Sequence, residues 1–196
     1  MKIVQDMFLV SDDEKELIEI VDNNLFGKIT IPDGIERIGS HAFYNRTQLR
    51  DVKFPNSLKE IGDRAFYSCT RLTEIVLPDS VVKLGNCSFC NCIELVSIHL
   101  SEGLIEVPLH CFSRCNLQSI VIPEKITKIG FHAFAWNENL KDISLPRSLK
   151  DIGPLAFKYS PKARFCYAGN ATEFQKIHKG AGWNWKVTDT TIYYQH

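Results

Sequence analysis

Residues 72–94 read LTEIVLPDSVVKLGNCSFCNCIE, and this stretch returns with small changes along most of the chain. Its phenylalanine recurs every 23 residues, with one interval of 22. A repeat of fixed length indicates stacked units that cover one another's apolar faces. The sequence therefore predicts a solenoid. The recurring phenylalanines are Phe43, Phe66, Phe89, Phe112, Phe134 and Phe157.

Each repeat is predicted to contain two short extended segments and one turn. Leu72, Ile75 and Leu77 form the apolar side of the first strand, and Pro78 ends it because proline cannot donate to a sheet. The second segment, residues 81–84, stops at a glycine, and the next residue is suited to cap a short helical turn that buries the phenylalanine. The cap position is held in three repeats by Ser40, Asp63 and Asn86.

Small, weakly polar residues lie three positions after the phenylalanine. Stacked at one register, they are expected to pack closely and to satisfy nearby backbone groups. This explains three of the seven cysteines, and the spacing of the rest is not that of a small disulfide scaffold, so we expect reduced thiols. The positions are Cys69, Cys92, Cys115, Asn137 and Ser160.

Length and composition are those of one soluble domain. The chain has 196 residues, 44% hydrophobic and 23% charged, with equal numbers of cationic and acidic side chains. This balance disfavours nucleic acid as a partner, and no apolar run has the length of a membrane span. Gln5 and Asp6 interrupt the apolar core that a signal peptide needs. Either the protein stays inside the cell, or an export signal is missing from this sequence.

The pattern LxxIxIPxxVxxIGxxAFxxC resembles the BspA-like subclass of bacterial leucine-rich repeats. The resemblance covers residues 26–166, as six full coils and a degenerate seventh. It implies a fold of the α/β class, a right-handed solenoid with short parallel strands on its concave face. Short helical turns and extended segments would form the convex side. The resemblance also implies adhesion at a bacterial cell surface.

The ends of the chain are expected to cap the stack. A single domain, 1–196, would consist of an N-terminal cap (1–25), repeats (26–166) and a C-terminal cap (167–196). Residues 8–21 are predicted to form a hairpin on the first coil. Residues 171–194 begin with a short helical pattern, and Trp183 and Trp185 are expected to cover the last coil, as terminal repeats require.

One outward row alternates in charge from coil to coil. Opposite charges on neighbouring strands favour correct stacking by roughly 0.2–1 kcal/mol per pair. We interpret this row as specifying the register of the coils rather than as a ligand site. Its members are Arg37, Glu60, Lys83, Glu106, Lys128 and Asp151.

The concave strand face is the predicted binding surface, because a curved solenoid presents it as one platform. The N-terminal half of this face is charged, and the strip that follows it is less polar. A solvated sheet face without a partner is the alternative interpretation. The candidate binding residues are Asp51, Lys53, Glu74, Val76, His99, Val121 and Asp142.

Three aromatic residues, Phe131, Trp136 and Tyr159, fall at exposed registers of adjacent coils. Exposed aromatic side chains are enriched at interfaces. Packing against the C-terminal cap is the other explanation, and we favour it because solenoid ends need covering.

No pattern in the sequence favours catalysis, a metal or a cofactor. Cys87, His110 and His132 share one register, but an outward row is expected to fan its side chains apart, whereas zinc ligands must converge. Neighbouring strand-face residues offer the groups of a hydrolytic triad without a strained elbow or oxyanion donors, so we predict no enzyme. Those residues are Ser97, His99, Ser119 and Asp142.

The leading hypothesis is a non-catalytic interaction module that binds a protein or glycan ligand at the cell surface. We expect a monomer that neither binds nucleic acid nor inserts into a membrane. The alternative is an intracellular bacterial scaffold with reduced cysteines, which fits the absent signal peptide and the odd number of cysteines.

Overall fold

A computed structural model describes residues 1–21 and 26–194. It is a solenoid of about eight turns, mostly strand with little helix, and the predicted leucine-rich-repeat architecture is confirmed. Each repeat contributes one strand to each of two rows of stacked parallel strands, and among the described residues breaks in the hydrogen bonding divide the strands into five sheets. The first strands, β1 (Lys2–Val4), β2 (Phe8–Val10) and β3 (Glu16–Ile20), precede the repeats.

The first row of strands lines the concave face, and parallel pairs within it keep equivalent repeat positions side by side. Its strands are β4 (Gly27–Thr30), β6 (Leu49–Lys53), β8 (Glu74–Val76), β10 (Ser97–His99), β12 (Ser119–Val121), β14 (Asp142–Leu145), β16 (Arg164–Tyr167) and β18 (Ile192–Tyr194).

The second row consists of two-residue strands that carry the alternating charges. Its strands are β5 (Arg37–Ile38), β7 (Glu60–Ile61), β9 (Lys83–Leu84), β11 (Glu106–Val107), β13 (Lys128–Ile129), β15 (Asp151–Ile152) and β17 (His178–Lys179).

The predicted charge row is present and is longer than expected. Glu16 precedes it and His178 follows it, each as the cross-strand neighbour of a row member. Glu16 pairs with Arg37 at 3.2 Å, and His178 lies 2.8 Å from Asp151. Exposed pairs of this kind contribute little stability each, so their main effect is on register.

The convex side is built from tight turns. Their amides alternate between two partners: Phe43 donates to the Ala65 carbonyl of the next coil at 2.8 Å, while Tyr44 donates to His41 within its own turn at 2.9 Å. Two residues per turn have a positive φ, for example His41 at 63° and Asn45 at 59°. Left-handed residues rule out a continuous helix here.

Helix is confined to one short element within residues 1–21 and 26–194. It is α1 (Ala171–Lys176), which begins at an Asn170–Glu173 capping box. The expected capping role is wrong for Asp63, whose carboxylate accepts a hydrogen bond from the Asn86 amide of the next coil at 2.7 Å. The side chain therefore links two coils instead of capping its own turn.

The core is a column of six stacked phenylalanine rings, all fully buried. Neighbouring centroids are 4.6–5.6 Å apart. The predicted polar ladder runs beside it: the Cys69 thiol donates to the Phe43 carbonyl at 3.1 Å, and Ser160 donates to Phe134 at 3.3 Å. Every ladder member reaches back to a phenylalanine carbonyl of the preceding coil.

Both ends of the stack are covered. The predicted hairpin over residues 8–21 is confirmed: β2 and β3 are antiparallel, and β3 then pairs in parallel with β5. At the other end Trp183 packs against the core, but Trp185 is 53% exposed, so its predicted packing role is wrong. Residues 22–25 and 195–196 of the predicted caps lie outside the described residues.

Candidate ligand-binding surface on the concave strand face

The concave face exposes two rows of side chains because strand residues alternate between the core and solvent. In β8, Ile75 is buried while Glu74 and Val76 on either side of it are exposed. Lys28 aligns with Asp51, and Ser119 aligns with Asp142, as cross-strand neighbours. The predicted rows are therefore present, and all seven candidate residues lie on this face.

The N-terminal half of the face contains a shallow depression of about 410 Å³. It brings together four of the seven candidates, two on β6 and two on β8. Phe54 and Asn56 also line it. The four candidates are Asp51, Lys53, Glu74 and Val76.

The C-terminal half contains a second depression of about 410 Å³. It collects the candidates Val121 and Asp142 with Arg164 and Tyr193, which the sequence reasoning missed. His99 lines neither depression, although it aligns with Val76 across β8 and β10. Four of the seven candidates therefore lie in the N-terminal depression, two lie in the C-terminal depression, and His99 lies outside both.

Arg164 and Tyr193 belong to the same rows as the candidates. Arg164 is the cross-strand neighbour of Asp142, 22 residues later, so the repeat spacing could have identified it. Tyr193 aligns with Cys166 across an interval of 27 residues, which includes α1. No periodic signal in the sequence indicates that pairing.

Ion pairs neutralise part of the face. The Lys28 ammonium lies 2.9 Å from the Asp51 carboxylate, and the Arg164 guanidinium lies 2.7 Å from Asp142. Within the described ranges Lys53 and Glu74 form no ion pair with any other residue. The charges free to meet a ligand are therefore in the N-terminal depression.

The residues that offered a hydrolytic triad do not assemble one. Ser119 and Asp142 are neighbours, but the Asp142 carboxylate pairs with Arg164 rather than with a histidine. The strand that carries His99 is regular and exposed. Nothing in this arrangement activates a serine nucleophile.

The row of Cys87, His110 and His132 differs from the expectation. His132 is buried, and its Nδ1 lies 3.4 Å from His110 Nε2, so these side chains do not fan apart. Burial, His110 and Lys158 together lower the pKa of His132 to about 4. Among the described side chains no three histidine, cysteine or acidic groups come together as metal ligands.

The architecture and the exposed sheet define a leucine-rich-repeat solenoid. A family model described as the BspA type leucine rich repeat region matches residues 21–81 and 59–178, in six copies. The chain belongs to this family. Leucine-rich-repeat proteins of this kind are generally non-enzymatic binding modules.

Three solved bacterial structures share the fold. A leucine-rich repeat protein of T. pallidum is 21% identical, with 96% of this chain and 92% of that one covered and a TM-score of 0.81. One from Eubacterium ventriosum is 22% identical (94% and 49% covered, TM-score 0.80). A leucine rich cell surface protein of Faecalibacterium prausnitzii is 23% identical (85% and 64% covered, TM-score 0.54).

The search of curated proteins gave no match. In the part of the chain that the structure describes, no helix has the length and hydrophobicity needed to cross a bilayer.

Proposed function

We propose that this protein is a non-catalytic interaction module that binds a protein or glycan at a cell surface through its concave strand face. It acts as a monomer, with no nucleic-acid partner and no inserted segment. The strands supply a rigid platform, and the rows of side chains on it supply specificity.

The N-terminal depression carries the proposal. It places exposed Val76, at 56% exposure, beside Lys53 and Glu74, whose charges the described chain leaves without an ion pair. An apolar contact flanked by charges of both signs suits a polar ligand that must be held in one orientation. Val121 is 70% exposed in the second depression and offers a further apolar contact along the same face.

A surface location is supported by the family and by a relative. The F. prausnitzii structure is described as that of a cell surface protein. In this proposal the same type of repeat displays the concave face outside the cell.

Reversing the two free charges tests the proposal. The variant Lys53→Glu with Glu74→Lys would be compared with the wild type on a panel of immobilised extracellular proteins and glycans. We expect at least about tenfold weaker binding to every ligand of the wild type. The matched control is Glu106→Lys with Lys128→Glu, a charge reversal on two paired strands of the second row, away from the concave face. Unchanged affinity in the concave-face variant would contradict the proposal.

An intracellular scaffold is the second candidate, supported by the odd number of cysteines, seven in all. Five are buried, and burial raises the pKa of Cys69 to about 12 and that of Cys90 to about 11. Such thiols react slowly. Thiol titration of protein purified without reductant decides between the candidates: seven titratable thiols after unfolding favour the scaffold, and specific disulfides favour export.

A further inference from the structure

A second surface on the convex side combines cations with aromatic rings. Successive coils place Arg114, Trp136, Tyr159 and Lys186 at one register, because Trp136 donates to the carbonyl of Lys158 and Tyr159 donates to that of Trp185. We call this surface the cation–aromatic face. It consists of Arg114, Trp136, Lys158, Tyr159, Trp185 and Lys186.

The cations lie over the rings. The Arg114 guanidinium carbon is 5.1 Å from the Trp136 centroid, and Lys186 Nζ is 4.8 Å from that of Tyr159. Lys158 Nζ is 5.1–5.3 Å from all three rings, including Trp185. Cation–π attraction at these distances holds flexible side chains in place.

None of the three cations has an acidic partner within residues 1–21 and 26–194. Elsewhere on the solenoid some exposed cations of neighbouring coils pair with carboxylates, as Lys28 does with Asp51. Glu138, two residues after Trp136, is exposed and forms no ion pair with this surface. The result is a local excess of positive charge on a chain whose formal net charge is +0.

The aromatic residues occupy unfavourable backbone positions. The equivalent residues of the first and third coils are Asn45 and Asn91, and asparagine tolerates a left-handed backbone well. Trp136 and Tyr159 adopt the same conformation, at φ 59° and 57°. A bulky residue is disfavoured there, and such strain is typical of functional positions.

We propose that the cation–aromatic face binds an acidic polysaccharide through its carboxylate or sulfate groups. The backbone amides at this register are already bonded between coils, so a peptide cannot be added there as a strand. Two cations lie over the Trp136 ring and two over the Tyr159 ring, which disfavours the stacking of single-stranded nucleic acid bases on these rings. The cationic heads remain available, and they complement a polyanion.

Binding to heparin, a sulfated and carboxylated polysaccharide, tests this proposal at low ionic strength. The wild type is expected to bind immobilised heparin and to be released by added salt. A triple variant should bind heparin at least about tenfold more weakly. It combines Arg114→Gln, Lys158→Gln and Lys186→Gln. A matched control, Arg71→Gln with Lys125→Gln and Lys150→Gln, removes three exposed cations from other faces and should change affinity less than about twofold.

A single substitution separates binding from folding. Trp136→Asn restores the residue type of the first and third coils, so it relieves the backbone strain while it releases Arg114 and Lys158. We expect unchanged or higher thermal stability, with heparin affinity reduced about threefold. The proposal would be overturned by a charge-depleted triple variant that binds like the wild type, by no heparin binding at all, or by tighter binding to oligothymidine than to heparin. Loss of this site leaves the proposal for the concave face untouched, since that face contributes no residue to it.

Discussion

The side-chain oxygen of Asn137 lies 3.2 Å from the backbone nitrogen of Leu117 in the preceding coil and accepts its hydrogen bond. In full-length coils the equivalent leucine amide donates to the backbone carbonyl three residues earlier, as Leu95 does to the Cys92 carbonyl at 2.9 Å. Leu117 is only two positions after Cys115 instead of three, so this bond cannot form in the 22-residue coil. Asn137 alone in its row therefore provides both an acceptor for Leu117 and a donor for the Phe112 carbonyl.

Asn137→Ser should lower the free energy of unfolding by about 1–3 kcal/mol, because a buried amide loses its acceptor. Chemical denaturation provides the measurement. Cys92→Ser is the matched control, since serine can still donate to the Phe66 carbonyl that Cys92 contacts at 3.2 Å.

Inserting one residue after Asn116 should restore the stability of Asn137→Ser, because the coil regains its own acceptor for Leu117. An insertion that destabilises Asn137→Ser as much as it does the wild type would show that Asn137 does not compensate for the shortened coil.

Phe89→Ala should lower the free energy of unfolding by about 3–5 kcal/mol, since it removes a buried ring from the middle of the core column. The Phe89 ring lies 5.1 Å from Phe66 and 5.6 Å from Phe112. Tyr44→Ala removes a stacked ring that is 46% exposed and should cost less than about 1 kcal/mol. Equal losses in urea titrations would mean that the phenylalanine column is not the main stabilising element.

Gly85→Ala should destabilise the solenoid by about 1–3 kcal/mol, because neighbouring coils approach too closely for a side chain. A Cβ at Gly85 would lie 2.4 Å from the backbone of Gly62 and Asp63. At Gly39, beside the N-terminal cap, the shortest distance is 3.0 Å, so Gly39→Ala should cost less. Thermal unfolding would reveal the order, and a greater loss at Gly39 would contradict it.

Stability should fall as the pH drops from about 6.5 to about 4 because of His132. Its folded pKa is lowered to about 4, so the unfolded chain binds the proton first in this window. His132 Nε2 is buried and lacks a hydrogen-bond partner among the described residues, so protonation there is unfavourable. We expect His132→Asn to remove about 1–3 kcal/mol of this pH dependence in melts across the window. An identical pH profile in the variant would assign the effect to other groups.

Residues that repeat could be predicted, and residues that compensate for a break in the repeat could not. Phe89 and the charge of Lys83 follow the 23-residue spacing, so their places in the column and the row were evident from the sequence. Asn137 is expected from the sequence to pack and to satisfy nearby backbone groups, but its bond to Leu117 could not be predicted because it depends on the shortened coil. The turn conformation was also missed, since the left-handed backbone of Trp136 follows from hydrogen bonds between coils rather than from local propensity.

The candidate site was predictable to the extent that it follows the strands. The positions of Lys53 and Val121 on one face follow from strand alternation alone. The C-terminal depression is also lined by Tyr193, whose strand pairs with β16 after α1. Side chains brought together by the end of the stack leave no periodic signal.

Photo-crosslinking from Val121 tests most directly whether ligand binds the concave strand face. A benzophenone amino acid would replace Val121, which is 70% exposed, or Ile105, which is 62% exposed outside the concave sheet. Each protein would be illuminated with the panel ligand that the wild type binds. We predict crosslinks from position 121 and none from position 105, and the reverse pattern would contradict the proposed binding face.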